Sequence, residues 1–195
     1  MRIAIVKLSA LGDIVNLMFV LQFIKKYHPT SKIDWIVEKR FKGILENNPH
    51  IDQIQTINLN KAKKNKSLKL LYEELSGVKK FGEYDLVIDF QGLIKTAIIS
   101  KLIRSKKIIG FDINSIREKL ASYFYDQTVN IGYDQNTIMR NAKLTSEALS
   151  LKISKDDIFN KDLYLFTLSN FQLPEKPYII FVVGSTWESR NYPKE

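Results

Sequence analysis

Short β-branched segments alternate with longer amphipathic segments along this chain, and this alternation constrains the fold more than any other feature. The predicted strands are residues 2–8, 32–37, 54–59, 84–90 and 107–111, and the predicted helices are 13–27, 67–80, 93–104, 115–125 and 136–150. Strands separated by helix-length segments form βαβ units with a parallel sheet. The sequence therefore predicts a Rossmann-like, doubly wound α/β domain whose ligands gather beyond the carboxyl ends of the strands.

This alternation breaks down near the end of the chain. We expect an α/β domain over residues 1–160 and a linker over 161–177, a segment that contains Pro174 and Pro177. Residues 178–195 read as a new buried strand followed by a turn of small residues. We therefore expect these last residues to begin a second domain that is largely absent from the chain.

The amino-acid composition limits the partners and the kinds of site that the chain can have. Thirty Lys and Arg against 21 Asp and Glu give a net charge of +9, which attracts polyanions such as nucleic acid, an anionic membrane or a phosphorylated molecule. The chain has no cysteine, which excludes disulfides, thiolate metal sites and cysteine nucleophiles. It has only two histidines, each beside a proline in a predicted turn, and no D-x-D pair. The sequence thus gives no support for a metal site, and no apolar run reaches the roughly 18 residues of a membrane span.

The turn after the first strand carries a carboxylate, Asp13, in the segment KLSALGDIV. Asp13 could cap the following helix, or it could act as a general base at the crevice, since an aspartate is ionised at neutral pH. The turn has no G-x-G-x-x-G or P-loop pattern, and a carboxylate competes with a phosphate for the helix N-terminus. This turn is therefore not predicted to bind phosphate.

A second strand–turn–helix unit, DFQGLIKTA, repeats this arrangement, so Gln91 and Gly92 should face the same crevice, although Gly92 could simply form a tight turn. Further along, Ser115 and Glu118 fit a capping box, which places Arg117 in the first turn of the predicted helix. A cation is unfavourable at a helix N-terminus, so Arg117 is a candidate ligand for carboxylate or phosphate.

Two further segments could bind anions. Residues 60–80 hold seven lysines, of which Lys61, Lys63, Lys64 and Lys66 fall in a predicted loop; they form either a solvated surface or a mobile set of cations. Aromatic residues are sparse there, which argues against single-stranded nucleic acid. In the turn GSTWESR, backbone N–H groups and the side chains of Ser185, Thr186 and Arg190 suit a diphosphate.

Taken together, five segments resemble the bacterial lipopolysaccharide heptosyltransferases, and the fourth resembles the type I enzymes in particular: VKLSALGDIV, DWIVE, YDLVIDFQGLIKTA, REKLASYFY and GSTWESRNYP. The resemblance implies the N-terminal half of a GT-B glycosyltransferase, with the acceptor bound mainly by this half and the ADP-sugar by the other. It implies inverting transfer of heptose from ADP-heptose to the Kdo of Kdo-lipid A, without a metal cofactor.

The resemblance also implies roles for individual residues. Asp13 would be the general base, the acceptor would contact Gln91, Gly92, Arg117 and the basic segment (Lys61, Lys63, Lys64), and the donor diphosphate would contact Ser185, Thr186 and Arg190. The family often has lysine at the last of these positions, so the arginine departs from its pattern. The expected setting is the cytoplasmic face of the inner membrane, with peripheral attachment, no nucleic-acid partner and a monomeric state.

Two alternatives stay open on the sequence. One is a type II heptosyltransferase, which shares the S-x-x-G-D opening but uses a heptosylated acceptor. The other is a non-catalytic, basic nucleotide- or anion-binding α/β module. Because the chain ends a few residues into the expected donor domain, we expect the 195-residue chain alone to be inactive.

Overall fold

The structure, a computed structural model, describes residues 1–166 and 174–180. In this part the strands are β1 (Arg2–Val6), β2 (Lys32–Glu38), β3 (Gln53–Ile57), β4 (Glu83–Tyr84), β5 (Leu86–Asp89), β6 (Arg104–Ser105), β7 (Ile108–Phe111) and β8 (Gln127–Val129). The helices are α1 (Leu11–Met18), α2 (Val20–Tyr27), α3 (Leu59–Lys64), α4 (Leu68–Val78), α5 (Ile94–Leu102), α6 (Thr137–Leu149) and α7 (Lys155–Phe159). Two 3-10 helices span Lys39–Ile44 and Lys119–Phe124.

Six strands form one fully parallel sheet in the order β3-β2-β1-β5-β7-β8, and β4 and β6 pair separately. The chain winds from β1 towards β3 and then returns to β5 on the other side of β1. The strand order therefore reverses between β1 and β5, where the loops diverge and leave a crevice. This arrangement confirms the predicted doubly wound α/β class.

The central strands are apolar because helices cover both faces of the sheet. Ile3, Ala4, Ile5 and Val6 of β1 are fully buried, as expected for a parallel sheet packed on both sides. Helix α6 packs against α1 and α2, and α5 packs against α4 and the 119–124 3-10 helix. This packing holds the ends of β1 and β5, and thus the crevice, on a rigid support.

Several predicted boundaries differ from the structure. The helix predicted over 13–27 is two helices, α1 and α2, separated at Phe19, which is itself buried. The strand β8 was not predicted, because only three residues, QTV, form it and two of them are polar. The segment 60–66, predicted as a loop, is largely the helix α3, since the Asn58 side chain caps its start by accepting from the Lys61 N–H at 3.1 Å.

The helix and capping box predicted over 115–125 are also wrong. Only the 3-10 helix Lys119–Phe124 forms, and the Ser115 hydroxyl instead donates to Asp112 and accepts from the Ile131 N–H at 2.8 Å. The Glu118 carboxylate accepts from the Ile94 N–H at 2.7 Å, so it satisfies the start of α5 rather than of its own segment. Arg117 consequently lies in a loop, and the argument from an unfavourable helix dipole does not apply to it.

Candidate active site

The turn after β1 brings Asp13 to the mouth of the crevice between β1 and β5. Helix α1 begins at Leu11, two residues earlier than predicted, and Asp13 lies in its first turn. The Asp13 Oδ2 atom accepts from the Ala10 N–H at 3.2 Å, which is the capping role considered above. The Asp13 side chain is nonetheless 46% exposed and lines a cavity of about 440 Å³. One carboxylate thus stabilises the helix start and remains accessible to a ligand.

Lys7 lies beneath Asp13 and is a site residue that the sequence analysis missed. Its side chain is only 9% exposed, and its Nζ atom lies 3.9 Å from Asp13 Oδ2 and 3.4 Å from the Phe90 carbonyl oxygen, to which it donates. Burial lowers the pKa of Lys7, and the negative charges of Asp13 and Asp89 oppose that effect. In the sequence, the only sign of this role is a lysine that follows the apolar run of β1.

The turn after β5 forms the opposite wall of the crevice. Gln91 joins the two walls, because its side-chain oxygen accepts from the backbone N–H groups of Leu8 and Ser9, each at 3.2 Å. Gly92 has a φ of +66°, and a Cβ atom there would lie 2.5 Å from the Ile116 side chain. Both residues line the same cavity as Asp13, so Gly92 forms a tight turn and also borders the site.

A buried carboxylate, Asp89, holds this second turn in shape. Its Oδ1 atom accepts from the backbone N–H groups of Gln91 and Gly92, at 2.8 and 3.2 Å. Its Oδ2 atom accepts from the Tyr125 hydroxyl at 2.9 Å. Burial raises the pKa of Asp89, although these hydrogen bonds oppose the rise. Asp89 therefore shapes the crevice from below, with no exposed surface of its own.

Two arginines, Arg117 and Arg140, line the same cavity as Asp13. Arg117 is exposed in its loop, whereas Arg140, from α6, donates to the carbonyl oxygens of Ser115 and Gly132 at 2.6 and 2.8 Å. The Arg140 guanidinium also lies 4.7 Å from the centre of the Phe111 ring. Arg140 thus fixes the loop that carries Arg117. With Lys7, these cations outnumber the single carboxylate of Asp13, so the cavity is suited to an anionic ligand.

The lysines of α3 border a different cavity. Lys63 and Lys66 line a volume of about 510 Å³ together with Ser9, Arg40 and Lys95. Glu38 positions this end of the helix, since its carboxylate accepts from the Asn60 N–H at 3.1 Å. The structure therefore does not bring the lysine cluster and Arg117 into one cavity. The two cavities adjoin at the turn after β1, which contributes Ser9 to one and Asp13 to the other.

Lys61 and Lys64 line neither of these two cavities. The predicted diphosphate ligands Ser185, Thr186 and Arg190 lie outside the described residues, as does most of the predicted second domain. Over residues 1–166 and 174–180, no three His, Asp or Glu side chains cluster as metal ligands would. In the same two ranges, no helix is both long and apolar enough to pass through a bilayer.

Comparison with known proteins gives consistent matches. The sequence model of glycosyltransferase family 9 (heptosyltransferase) matches residues 78–195, more than half of the chain. Lipopolysaccharide heptosyltransferase 1 of Campylobacter coli is 40% identical, and that of Pseudomonas aeruginosa is 30% identical. Both alignments cover 100% of this chain but only 58% and 55% of the relative. The chain therefore spans little more than half the length of these curated relatives.

Solved structures agree with the sequence matches. The Escherichia coli heptosyltransferase WaaC with ADP-2-deoxy-2-fluoro heptose superposes with a TM-score of 0.73 and 28% identity, over 80% of this chain and 50% of that one. The E. coli heptosyltransferase II structure shares the fold, with a TM-score of 0.51 and 14% identity, over 83% of this chain and 51% of that one. The resemblance inferred from the five sequence segments is thus confirmed, and the chain belongs to glycosyltransferase family 9, the heptosyltransferases.

Proposed function

We propose that this chain forms the acceptor-binding side of an inverting glycosyltransferase that moves heptose from ADP-heptose to the Kdo of Kdo-lipid A. The observation that carries the proposal is Asp13, a half-exposed carboxylate at the switch-point crevice that shares its cavity with the exposed cation Arg117. The curated relatives are named lipopolysaccharide heptosyltransferase 1, and WaaC was solved with an ADP-heptose analogue. Both facts support ADP-heptose as the donor and the inner core as the acceptor.

In the proposed reaction, Asp13 takes the proton from an acceptor hydroxyl as that oxygen attacks the anomeric carbon of heptose. The bond between this carbon and the diphosphate breaks, and ADP leaves with the electron pair from the opposite face, which inverts the configuration. One base suffices, because ADP is a stable leaving group. The Lys7 Nζ atom lies 3.9 Å from the carboxylate, and Arg117, which lines the same cavity, is placed to pair with an acceptor carboxylate or phosphate.

The remaining assignments belong to the same proposal. Lys63 borders the basic cavity, and we extend acceptor contact to Lys61 and Lys64 on the same helix. Gln91 and Gly92 supply the wall between the two turns. Ser185, Thr186 and Arg190 would hold the donor diphosphate and stabilise its charge without a metal, so transfer should persist in EDTA. The reaction would take place at the cytoplasmic face of the inner membrane, on a peripherally attached monomer.

The test is the Asp13→Asn substitution in a two-domain enzyme that carries this half. A well-placed general base contributes about 10²–10⁴-fold, so heptose transfer to Kdo-lipid A should fall by at least that range. Asp162→Asn, at an exposed position, is the matched control and should keep full activity. Turnover of the Asp13 variant close to that of the control would refute the assignment of Asp13 as the base.

The choice of acceptor distinguishes the hypothesis of a type I enzyme from that of a type II enzyme. The type I hypothesis is supported by the curated relatives, which are named lipopolysaccharide heptosyltransferase 1 and are 40% and 30% identical to this chain. Parallel assays with Kdo-lipid A and with its heptosylated form should show preference for the former. Salt-sensitive binding of the acceptor by the two-domain enzyme, without any transfer, would instead favour the non-catalytic, basic anion-binding module.

A further inference from the structure

Helix α4 carries an exposed apolar face near the basic cavity. Leu68, Leu71 and Tyr72 lie at helical i, i+3 and i+4 positions, and their exposed fractions are 83%, 37% and 74%. The next residue of the same stripe, Leu75, packs against the core. The stripe therefore leaves the core at its N-terminal end, where three large apolar side chains face solvent. We call Leu68, Leu71 and Tyr72 the α4 apolar face.

Several cations lie beside the α4 apolar face, although the carboxylate of Glu38 lines the adjoining cavity with them. Leu68 and Leu71 line the same cavity as Lys63 and Lys66, and Lys69 follows on the helix itself. Of the lysines over residues 61–69, only Lys69 has an ion-pair partner within the described part of the chain, namely the exposed Glu73 at 4.0 Å. Within the described residues, Lys63 and Lys66 form no ion pair, so their charges are free to meet anions from outside, whereas Lys69 has one weak, exposed partner.

We propose that the α4 apolar face docks on the surface of an anionic phospholipid bilayer. An amphipathic helix with apolar residues on one face and lysines beside it lies in the plane of the interface. The leucines would enter the boundary of the acyl chains, the tyrosine ring would sit at headgroup level, and the lysines would pair with lipid phosphates. Charge complementarity selects this occupant over a neutral apolar surface.

This docking adds a membrane-binding surface to the proposed function. It rests on the proposed function in one respect, because it takes the acceptor to be a membrane lipid. Ser9, from the turn that also carries Asp13, lines the same cavity as Leu68 and Leu71. A bilayer against α4 would therefore lie beside the crevice. Its headgroups would be presented to the crevice without the acceptor having to leave the membrane.

The test uses an environment-sensitive fluorophore, NBD, attached to one introduced cysteine. The chain has no cysteine, so Tyr72→Cys gives a single labelled site, and Leu163→Cys, at a position that is 88% exposed, gives the matched control. With phosphatidylglycerol-containing vesicles, the label at residue 72 should brighten and shift to the blue, and the label at residue 163 should not. Phosphatidylcholine vesicles should give little change at either site.

Vesicle sedimentation then measures the apolar and the electrostatic contributions to binding separately. Leu68→Ser combined with Tyr72→Ser should weaken binding to anionic vesicles about tenfold, because binding scales with buried apolar area. Lys66→Gln with Lys69→Gln should weaken it roughly fivefold per lysine at low salt. Unchanged binding in both double variants would overturn the proposal, as would equal binding to neutral vesicles.

Two further outcomes are decisive. A blue-shifted label at residue 72 without lipid, growing with protein concentration, would assign the face to a second copy of the chain and overturn lipid docking. Heptose transfer by the two-domain enzyme to a water-soluble Kdo acceptor without acyl chains separates this inference from the proposed function. Tyr72→Ser should leave that transfer unchanged while reducing transfer to vesicle-embedded acceptor; loss of both or of neither would refute docking through this face.

Discussion

Replacing Lys7 by methionine should make the protein more stable while impairing its proposed chemistry. The lysine stem is buried with its ammonium group, whose polar contacts within the described residues are Phe90 O at 3.4 Å and Asp13 Oδ2 at 3.9 Å. Both contacts are long, and burial is the largest influence on the pKa of Lys7, which it lowers. Methionine has a similar length and keeps the apolar contacts without a charge to bury.

The size of the effect follows from removing a charge at a buried position. Burial disfavours the charged ammonium in the folded protein, and replacing a buried ion by an apolar side chain of similar volume often stabilises a protein, by about 1–4 kcal/mol. Because the lost contact with Asp13 offsets part of this gain, we expect Lys7→Met to raise the free energy of unfolding by about 1–2 kcal/mol at neutral pH. The gain should shrink as the pH rises through the folded pKa of Lys7 towards the unfolded value near 10.4, because the wild-type lysine then loses its charge.

Urea denaturation of wild type and variant, followed by circular dichroism from neutral to alkaline pH, measures this difference. Lys95→Met, at an exposed lysine in the first turn of α5, is the control and should change stability by less than about 0.5 kcal/mol at all pH values. If Lys7→Met is less stable than wild type, or if its gain does not change with pH, then the cost of burying the ammonium is not what the structure implies.

Three further substitutions test the walls of the crevice. Tyr125→Phe removes a 2.9 Å hydrogen bond to the buried Asp89 and should lower the free energy of unfolding by about 1–3 kcal/mol in urea, so an unchanged midpoint would contradict that bond. Gly92→Ala should lower the free energy of unfolding by about 1–3 kcal/mol because of the φ of +66° at this position. Gly77→Ala, in a helix with open space around it, should be neutral or stabilising in the same urea measurement. Burial raises the pKa of Asp89, so its ionisation destabilises the fold as the pH rises from about 4, and Asp89→Asn should gain stability relative to wild type over that range; a constant difference in urea midpoint would refute this sign.

The sheet and the crevice were predictable from the sequence because they depend on local patterns. The buried strands read as short apolar runs, and the polar residues after 2–8 and 84–90 then had to meet at the carboxyl edge. Asp13, Gln91 and Gly92 were located in this way, and all three border one cavity. Position relative to a strand end was sufficient for these residues.

Other site residues depend on contacts that no local pattern encodes. Arg140 comes from α6 and reaches the cavity only because that helix packs back against α1 and α2. Glu118 satisfies the start of α5, 24 positions away, instead of its own segment. Lys7 is buried by the neighbouring strands, since β2 and β5 flank β1 on both sides. Tertiary packing determines such roles. A capping motif or a charged residue that is interpreted from its sequence neighbours alone therefore gives a wrong prediction.

The hydrogen bonds from Leu8 and Ser9 to the Gln91 side chain have a thermodynamic consequence. They tie the turn after β1 to the turn after β5, so this part of the crevice is ordered before a ligand enters. A ligand that enters a preformed crevice loses little affinity to ordering of the protein, and an anion would gain affinity here mainly from the cations that line the cavity. The affinity of this site for an anion should therefore respond strongly to salt and only weakly to substitutions that stiffen the backbone.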